Sequence, residues 1–131
     1  MTPIGLRQRV PAKHILLAED DPVVAHTLRM ALAVDGHSVE IAEDGGQALD
    51  MFNLGKYDLV ITDFRMPNMD GMELAEAIKT RSPATPVILI TAYLEMIQRT
   101  GGRVSNVDVL LGKPCSVIEL YNALRRVFEP A

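Results

Sequence analysis

The chain has 131 residues, of which 48% are hydrophobic and 23% charged, a composition typical of one folded domain and unlike that of a disordered segment. Its net charge of -4 gives no general attraction to nucleic acids or anionic membranes, and its longest apolar run, 87–94, is far shorter than the roughly 18 residues of a membrane span. The single cysteine, Cys115, excludes an internal disulfide, and no apolar run at the start resembles a secretory signal, so we expect a cytoplasmic protein.

The first segment, residues 1–13, is predicted to be a flexible lead-in that is basic in character. Pro3, Gly5 and Pro11 interrupt it, and it shows no periodic apolar pattern. The remaining residues, 14–131, are predicted to form one domain, since we find no internal repeat and no low-complexity tract in them.

From residue 14 onward, short apolar runs alternate with longer segments of helical periodicity. Near-continuous apolar runs at 15–18, 59–61 and 87–90 predict strands buried on both faces, as in a parallel sheet. Residues 38–42 alternate between polar and apolar, which is typical of an edge strand. A weaker alternation at 107–111 predicts the opposite edge of the sheet.

Capping residues mark the ends of the predicted helices. Asp21 and Pro22 predict the start of the first helix, and Gly36 predicts its end. Three further helix starts have the spacing of a capping box: Asp44 with Gln47, Asp70 with Glu73, and Ser116 with Glu119.

The last two helices differ in their apolar pattern. Segment 95–103 is predicted to be a short helix because Gly101-Gly102 truncates it. The last helix is predicted to pack one apolar stripe on the sheet. This stripe consists of Val117, Leu120, Tyr121, Leu124, Val127 and Phe128.

The resulting element order is (βα)5, which predicts an α/β fold: a doubly wound parallel sheet with right-handed crossovers and helices on both faces. Apolar strands 1, 3 and 4 in the centre and strands 2 and 5 at the edges fit the flavodoxin-like order 2-1-3-4-5. Ligands of such sheets bind beyond the carboxyl ends of the strands, at the switch point between strands 1 and 3.

Polar residues follow four of the predicted strands and should therefore meet at one edge of the sheet. They are Glu19, Asp20 and Asp21 after strand 1, Asp63 after strand 3, Thr91 after strand 4, and Lys113 after strand 5. Asp21 is assigned to the helix cap.

Because neighbouring carboxylates repel one another, either the pKa of one of them rises or a cation is present. A site whose ligands are all oxygen atoms favours Mg2+. Lys113 and Thr91 could bind a phosphoryl group, and a carboxylate such as Asp63 can be phosphorylated.

These residues lie in sequence motifs that resemble the receiver domain of two-component response regulators, the CheY-like family. The matching segments are ILLAEDDP at 15–22, YDLVITDFRMPNMDG at 57–71, Thr91-Ala92 and Lys113-Pro114. The resemblance extends from about residue 14 to residue 128, and the D-x-x-M-P-x-M-D-G stretch at 63–71 is highly specific.

The resemblance implies a phosphoacceptor and a metal site. Asp63 would be the phosphoacceptor. Asp20, Asp63 and the backbone carbonyl of Arg65 would bind Mg2+ directly, with Glu19 acting largely through water.

The resemblance also implies the groups that hold the phosphoryl oxygens. Thr91, Lys113 and the backbone N–H of Ala92 would bind them, and the peptide bond before Pro114 is commonly cis in this family. The family usually has Tyr or Phe where this chain has Leu110. Leu110 is therefore expected either to pack as a core residue or to alter the switch, while the phosphorylation chemistry is kept.

The function implied by the resemblance is a phosphorylation-activated switch and not an enzyme with a separate substrate. It would take a phosphoryl group from a sensor histidine kinase or phosphotransfer protein, catalyse only its own phosphorylation and dephosphorylation, and regulate an unidentified partner or output domain. No nucleic-acid or membrane binding is expected of this chain, which should contain no output module. A homodimer through helix 4, strand 5 and helix 5 is a further expectation.

Two other functions remain open from the residues alone. A phosphotransferase or phosphatase of the haloacid-dehalogenase type would carry its nucleophile after strand 1 in a D-x-D pattern. A flavodoxin-like FMN module would need a Ser/Thr/Gly-rich loop there instead of acids. Near the predicted pocket, Arg65 and Tyr93 could screen or admit the attacking water, or could be solvated rim residues.

Overall fold

The computed structural model describes residues 10–99 and 105–129. Most of the predicted lead-in and the Gly101-Gly102 end of the short helix lie outside the described residues. Val10, which lies within the predicted lead-in, is buried and packs in the core, and the backbone N–H of Lys13 donates to His37 Nδ1 over 3.0 Å. The domain boundaries, 1–13 and 14–131, stay predictions.

Within the described residues, five strands alternate with five helices, as predicted. The strands are β1 (His14–Ala18), β2 (Ser38–Ala42), β3 (Leu59–Asp63), β4 (Val87–Thr91) and β5 (Val109–Gly112). The helices are α1 (Pro22–Val34), α2 (Gly45–Leu54), α3 (Gly71–Arg81), α4 (Leu94–Arg99) and α5 (Val117–Phe128). None of the helices in the described part of the chain has the length and apolar character needed to cross a bilayer.

The strands form one parallel sheet in the order β2-β1-β3-β4-β5, which confirms the predicted fold class. Adjacent strands end in register: Ala18 of β1 pairs with Thr62 of β3, and Thr91 of β4 pairs with Gly112 of β5. The residues that follow these strands therefore emerge at one edge of the sheet. The direction of chain winding reverses between β1 and β3, so a switch point lies at this edge.

The core has two layers, because alternate strand residues point to opposite faces of the sheet. On one face, Ile15 and Ile61 pack with α1 and α5; on the other, Leu16 and Val60 pack with α2 and α3. Burying each such side chain contributes about 1.5–3 kcal/mol. The central strands are thus held from both sides, which fixes the edge where their polar residues emerge.

The predicted helix caps are largely confirmed. Asp21 accepts hydrogen bonds from the backbone N–H groups of Val23 and Val24, and Gly36 follows the last residues of α1 with a φ of 90°. Reciprocal capping boxes are present at Asp70 with Glu73 and at Ser116 with Glu119.

The third predicted capping box is formed only in one direction. Asp44 accepts from the backbone N–H of Gln47 over 2.7 Å, but the Gln47 side chain accepts from the N–H of Glu43 over 2.6 Å. The Asp44 side chain therefore still caps α2, and the Gln47 side chain binds the N–H of the residue before the cap.

The stripe predicted along α5 is correct for its middle and end but wrong for Val117. Leu120 and Leu124 are buried, whereas Val117 and its neighbour Ile118 are 61% and 72% exposed. They occupy the first turn of the helix and do not belong to the core cluster that Leu120 and Leu124 join. Of the short helix predicted at 95–103, the part within the described residues is observed as α4, and residues 100–103 lie outside them.

Candidate functional site

The carboxyl edge of the sheet gathers the polar residues that the sequence places after its strands. Glu19 and Asp20 follow β1, Asp63 ends β3, Thr91 ends β4, and Lys113 follows β5. One carboxylate oxygen from each of Glu19, Asp20 and Asp63 lies within 4.8 Å of the others. The predicted convergence of acids at the switch point is therefore observed.

Lys113 connects two of these carboxylates. Its Nζ donates to Asp63 Oδ2 over 2.9 Å and to Glu19 Oε1 over 3.0 Å. The side chains are largely shielded from water: 3% of Glu19, 12% of Asp63 and 26% of Lys113 is exposed. Such charge-assisted hydrogen bonds are stronger than neutral ones, and shielding reduces their screening by solvent.

Burial and neighbouring charges have opposing effects on the pKa values of Glu19 and Lys113. Burial raises the pKa of Glu19, and the negative charge of Asp63 raises it further, while the N–H of Asp21 and the ammonium of Lys113 partly offset this. Burial lowers the pKa of Lys113, but hydrogen bonds and charges from Asp63 and Glu19 outweigh that effect, so its pKa lies above the usual value. Lys113 is therefore a firmly held cation at neutral pH.

The Asp63 carboxylate is oriented on both of its oxygens. Oδ1 accepts from the backbone N–H of Phe64 over 2.8 Å, and Oδ2 accepts from Lys113. The backbone carbonyl of Asp63 accepts from the hydroxyl of Thr62 over 2.9 Å. Both the side chain and the main chain of Asp63 are thus fixed by local donors.

The two acids that follow Glu19 have different tasks. Asp21 points its carboxylate at the first turn of α1, whereas its N–H donates to Glu19 Oε2 over 3.1 Å. Asp20 is exposed and belongs to the cluster of three acids. The structure therefore separates Asp20, which faces the cluster, from Asp21, which caps a helix.

This cluster fits a hard divalent cation. Its ligand atoms are all carboxylate oxygens, the type that Mg2+ prefers, and the exposed Asp20 leaves an open side where water and a phosphoryl oxygen can complete the coordination. Both oxygens of Glu19 and both oxygens of Asp63 already accept hydrogen bonds, whereas Asp20 is exposed, so Asp20 is the carboxylate best placed for direct binding.

Thr91 is fully buried beside Lys113. Its hydroxyl oxygen accepts from the N–H of Tyr93 over 2.9 Å, and its carbonyl accepts from the N–H of Lys113 over 2.8 Å. Ala92, the next residue, is exposed in the loop after β4. The hydroxyl that would bind a phosphoryl oxygen is thus attached to the start of this loop.

The rim of the site is formed by side chains from the loops after β3 and β4. The Arg65 guanidinium lies 4.9 Å from the centre of the Tyr93 ring, and the Phe64 ring meets Tyr93 edge-on at 6.3 Å. Arg65 and Asp20 line the same cavity of about 520 Å³. The two rim residues singled out in the sequence therefore contact each other.

Pro114 and Leu110, the remaining residues singled out in the sequence, lie after β5 and within it. The Lys113-Pro114 peptide bond is cis, as expected. Leu110 is half-buried and pairs in register with Leu89 of β4.

Sequence reasoning missed the contact between Glu19 and Lys113. It assigned Glu19 to the metal through water and Lys113 to the phosphoryl group, and it did not join them. One signal was available: Glu19 directly follows an apolar run of buried strand residues, and a carboxylate buried there needs a partner of opposite charge.

Comparison with known proteins gives a consistent result. The family model described as "Response regulator receiver domain" matches residues 15–125. The chain is 34% identical over 115 residues to the response regulator MprA of Mycolicibacterium vanbaalenii, covering 88% of this chain and 50% of that protein. It is 38% identical over 116 residues to the transcriptional regulatory protein GlrR of Escherichia coli, covering 88% of this chain and 26% of that protein.

A solved structure is similar over almost its full length. The response regulator TrrA of Thermotoga maritima, determined in complex with Mg2+ and BeF, superposes with a TM-score of 0.79 at 31% identity, covering 88% of this chain and 98% of that one. By contrast, the chain spans about half or a quarter of the curated relatives named above.

Proposed function

This chain belongs to the family of response regulator receiver domains, and we propose that it is a signalling switch activated by phosphorylation of Asp63. A receiver domain is a signalling module and not a classical enzyme. The observation that carries the proposal is the Lys113 ammonium on Asp63 Oδ2 at 2.9 Å, beside a cluster of acids that fits Mg2+.

The proposed reaction transfers a phosphoryl group from a phosphohistidine of a sensor kinase or phosphotransfer protein. A carboxylate oxygen of Asp63 bonds to phosphorus, the phosphorus–nitrogen bond breaks, and the imidazole leaves with its electron pair and takes up a proton. Mg2+, held by Asp20, Asp63 and the Arg65 carbonyl with Glu19 acting through water, would neutralise charge on the phosphoryl oxygens.

The other side chains would hold the transferred group. Lys113 provides a fixed positive charge, while the Thr91 hydroxyl and the Ala92 N–H donate hydrogen bonds to the phosphoryl oxygens. Because the Lys113 ammonium is already held by the buried Glu19 carboxylate, it needs little reorganisation when negative charge develops on the phosphoryl oxygens. The same groups would support slow hydrolysis, so the domain would catalyse its own phosphorylation and dephosphorylation only.

The position of the acids disfavours the two other functions. A phosphatase of the haloacid-dehalogenase type carries its nucleophile after strand 1, whereas Lys113 and Phe64 here orient a carboxylate on β3. An FMN carrier needs a phosphate-binding loop after strand 1, where this chain has Glu19, Asp20 and a capping aspartate.

The wider roles are proposals as well. The conformational change would act on a partner or an attached output domain, as the names of the longer relatives suggest for those proteins. We place the domain in the cytoplasm, where sensor kinases transfer phosphoryl groups. We also propose a homodimer through α4, β5 and α5, with Leu110 of β5 near the centre of the interface. Leu110 and Pro114 would contribute to the conformational switch.

Binding of the phosphoryl mimic beryllofluoride tests this function. Wild-type protein with Mg2+ and beryllofluoride should give saturable changes in its amide resonances, centred on 63–65 and 91–93. Asp63→Asn should abolish them, and Asp50→Asn, an exposed aspartate of α2, should leave them unchanged. Saturable changes that persist in Asp63→Asn would refute the assignment.

A further inference from the structure

The loop that follows β3, residues 64–70, rests against the first residue of α2. A Cβ built on Gly45 would lie 2.3 Å from the carbonyl oxygen of Met69 and 2.7 Å from its Cβ. Such distances do not occur between real side chains and backbone, so only glycine allows this approach. Gly45 itself is buried.

A hydrogen bond lies next to this contact. Asn68 Nδ2 donates to Asp44 Oδ2 over 3.3 Å, while the other oxygen of Asp44 caps α2. Asn68 has a φ of 71°, in the left-handed region, so the loop turns at the residue that reaches α2. The N-terminus of α2 thus touches the loop at two consecutive positions.

The loop is also fixed at its two ends. The N–H of Phe64 donates to the carbonyl of Ile90 and to Asp63 Oδ1, and the N–H of Gly71 donates to the carbonyl of Phe64 over 2.7 Å. A displacement at Met69 must therefore be absorbed by the few residues between these bonds. They include Arg65, whose carbonyl is the proposed third ligand of Mg2+.

We propose that Gly45 is a positioning residue for the phosphorylation site: its missing side chain seats the 64–70 loop on α2 and so sets the geometry of Asp63 and Arg65. This inference rests on the proposed function. An alanine Cβ would have to push the Met69 carbonyl away by roughly 1 Å, and a misplacement of that size can cost about 100-fold where reacting groups must be aligned.

The adjacent glycine provides a matched control. A Cβ on Gly46 would meet only the Asp44 Oδ1 atom, at 3.3 Å, so the capping carboxylate has to move by only a few tenths of an ångström and can keep its bond to Asn68. Gly45→Ala and Gly46→Ala make the same chemical change in the same helical turn, with a similar gain in helix propensity. They differ in the contact with the loop.

The experiment compares beryllofluoride binding in the presence of Mg2+ at a temperature where each variant is folded. Gly45→Ala should weaken binding by at least about tenfold and shift amide resonances of 64–70, whereas Gly46→Ala should bind within about twofold of wild type. If Gly45→Ala binds like wild type, even with a lowered melting temperature, the inference is wrong. It is equally wrong if the resonance changes stay within α2.

A second variant covers the case in which Gly45→Ala does not fold. Asn68→Gly suits the positive φ and removes the bond to Asp44, so it should fold and bind beryllofluoride a few-fold more weakly. Wild-type affinity in Asn68→Gly would then overturn the inference. Failure of the wild-type protein to bind beryllofluoride would refute the proposed function and this inference with it, whereas equal binding by wild type and Gly45→Ala refutes the inference alone.

Discussion

The Lys113 ammonium lies 3.0 Å from the Glu19 carboxylate, although 94 positions separate the two residues in the chain. Glu19 is almost completely buried and also accepts the N–H of Asp21, so it is itself immobilised. The buried Glu19 carboxylate thus holds the Lys113 ammonium in the position from which it also donates to Asp63. This contact makes Glu19 a structural anchor of the lysine in addition to its proposed role near Mg2+.

Removing the lysine should destabilise the fold. In Lys113→Met, measured without Mg2+, the buried Glu19 loses its positive partner and faces Asp63, so the free energy of unfolding should fall by about 1–3 kcal/mol. Urea denaturation followed by circular dichroism measures it. The double variant Glu19→Gln/Lys113→Met should lose less than Lys113→Met alone, because the buried charge is gone. Wild-type stability in Lys113→Met would contradict this role.

Neighbouring aspartates should respond differently to substitution. Asp20→Ala should markedly weaken Mg2+ binding, because its carboxylate faces the acidic cluster. Asp21→Ala should keep Mg2+ binding and lose about 0.5–2 kcal/mol of stability, the usual cost of an N-cap. Titration with Mg2+ monitored by NMR, combined with urea denaturation, separates the two effects. If Asp21→Ala lost Mg2+ binding and Asp20→Ala kept it, the metal ligand would be Asp21 and our assignment of Asp20 would be wrong.

Cys115 should react slowly for a partly exposed thiol. Burial raises its pKa, and the negative charge of Glu119 raises it further, so less thiolate is present at a given pH than in a free cysteine. The rate of alkylation by iodoacetamide should therefore reach half its maximum at a higher pH. Glu119→Gln should lower that midpoint, since glutamine keeps the capping bond without the charge. A midpoint at or below that of free cysteine would contradict the prediction.

The fold could be predicted from the sequence because its signals are local. Buried strands appear as apolar runs, helix starts as caps, and the order of elements allows few topologies. The site could be predicted because the ends of parallel strands meet at one edge, so that Asp20, Asp63 and Lys113 had to approach each other.

The features that escaped prediction depend on tertiary geometry. The length and direction of the Lys113 side chain decide that it reaches both Glu19 and Asp63. The sequence indicates only that a buried Glu19 needs a positive partner, not which residue provides it. The exposure of Val117, the first residue of α5, is a matter of tertiary packing that the apolar period of the helix does not fix. The contact of Gly45 with Met69 requires knowledge of how closely the start of α2 approaches the 64–70 loop.

Phosphorylation should be transmitted through the loop after β4. If the Thr91 hydroxyl moves to a phosphoryl oxygen, it gives up its bond to the N–H of Tyr93. We therefore expect beryllofluoride to shift amide resonances across 92–106, and Tyr93 in particular, more than those of Leu110 and Leu111. Thr91→Ala should abolish the shift at Tyr93. The largest changes confined to β5 would refute this route.

Mapping the phosphorylated residue tests the central claim most directly. Wild-type protein incubated with acetyl phosphate and Mg2+ should gain the mass of one phosphoryl group, and the modified peptide should contain Asp63. Asp63→Asn and Asp63→Ala should remain unmodified, whereas Asp50→Asn should be modified like wild type. Stoichiometric modification of Asp63→Asn at another residue would contradict the account.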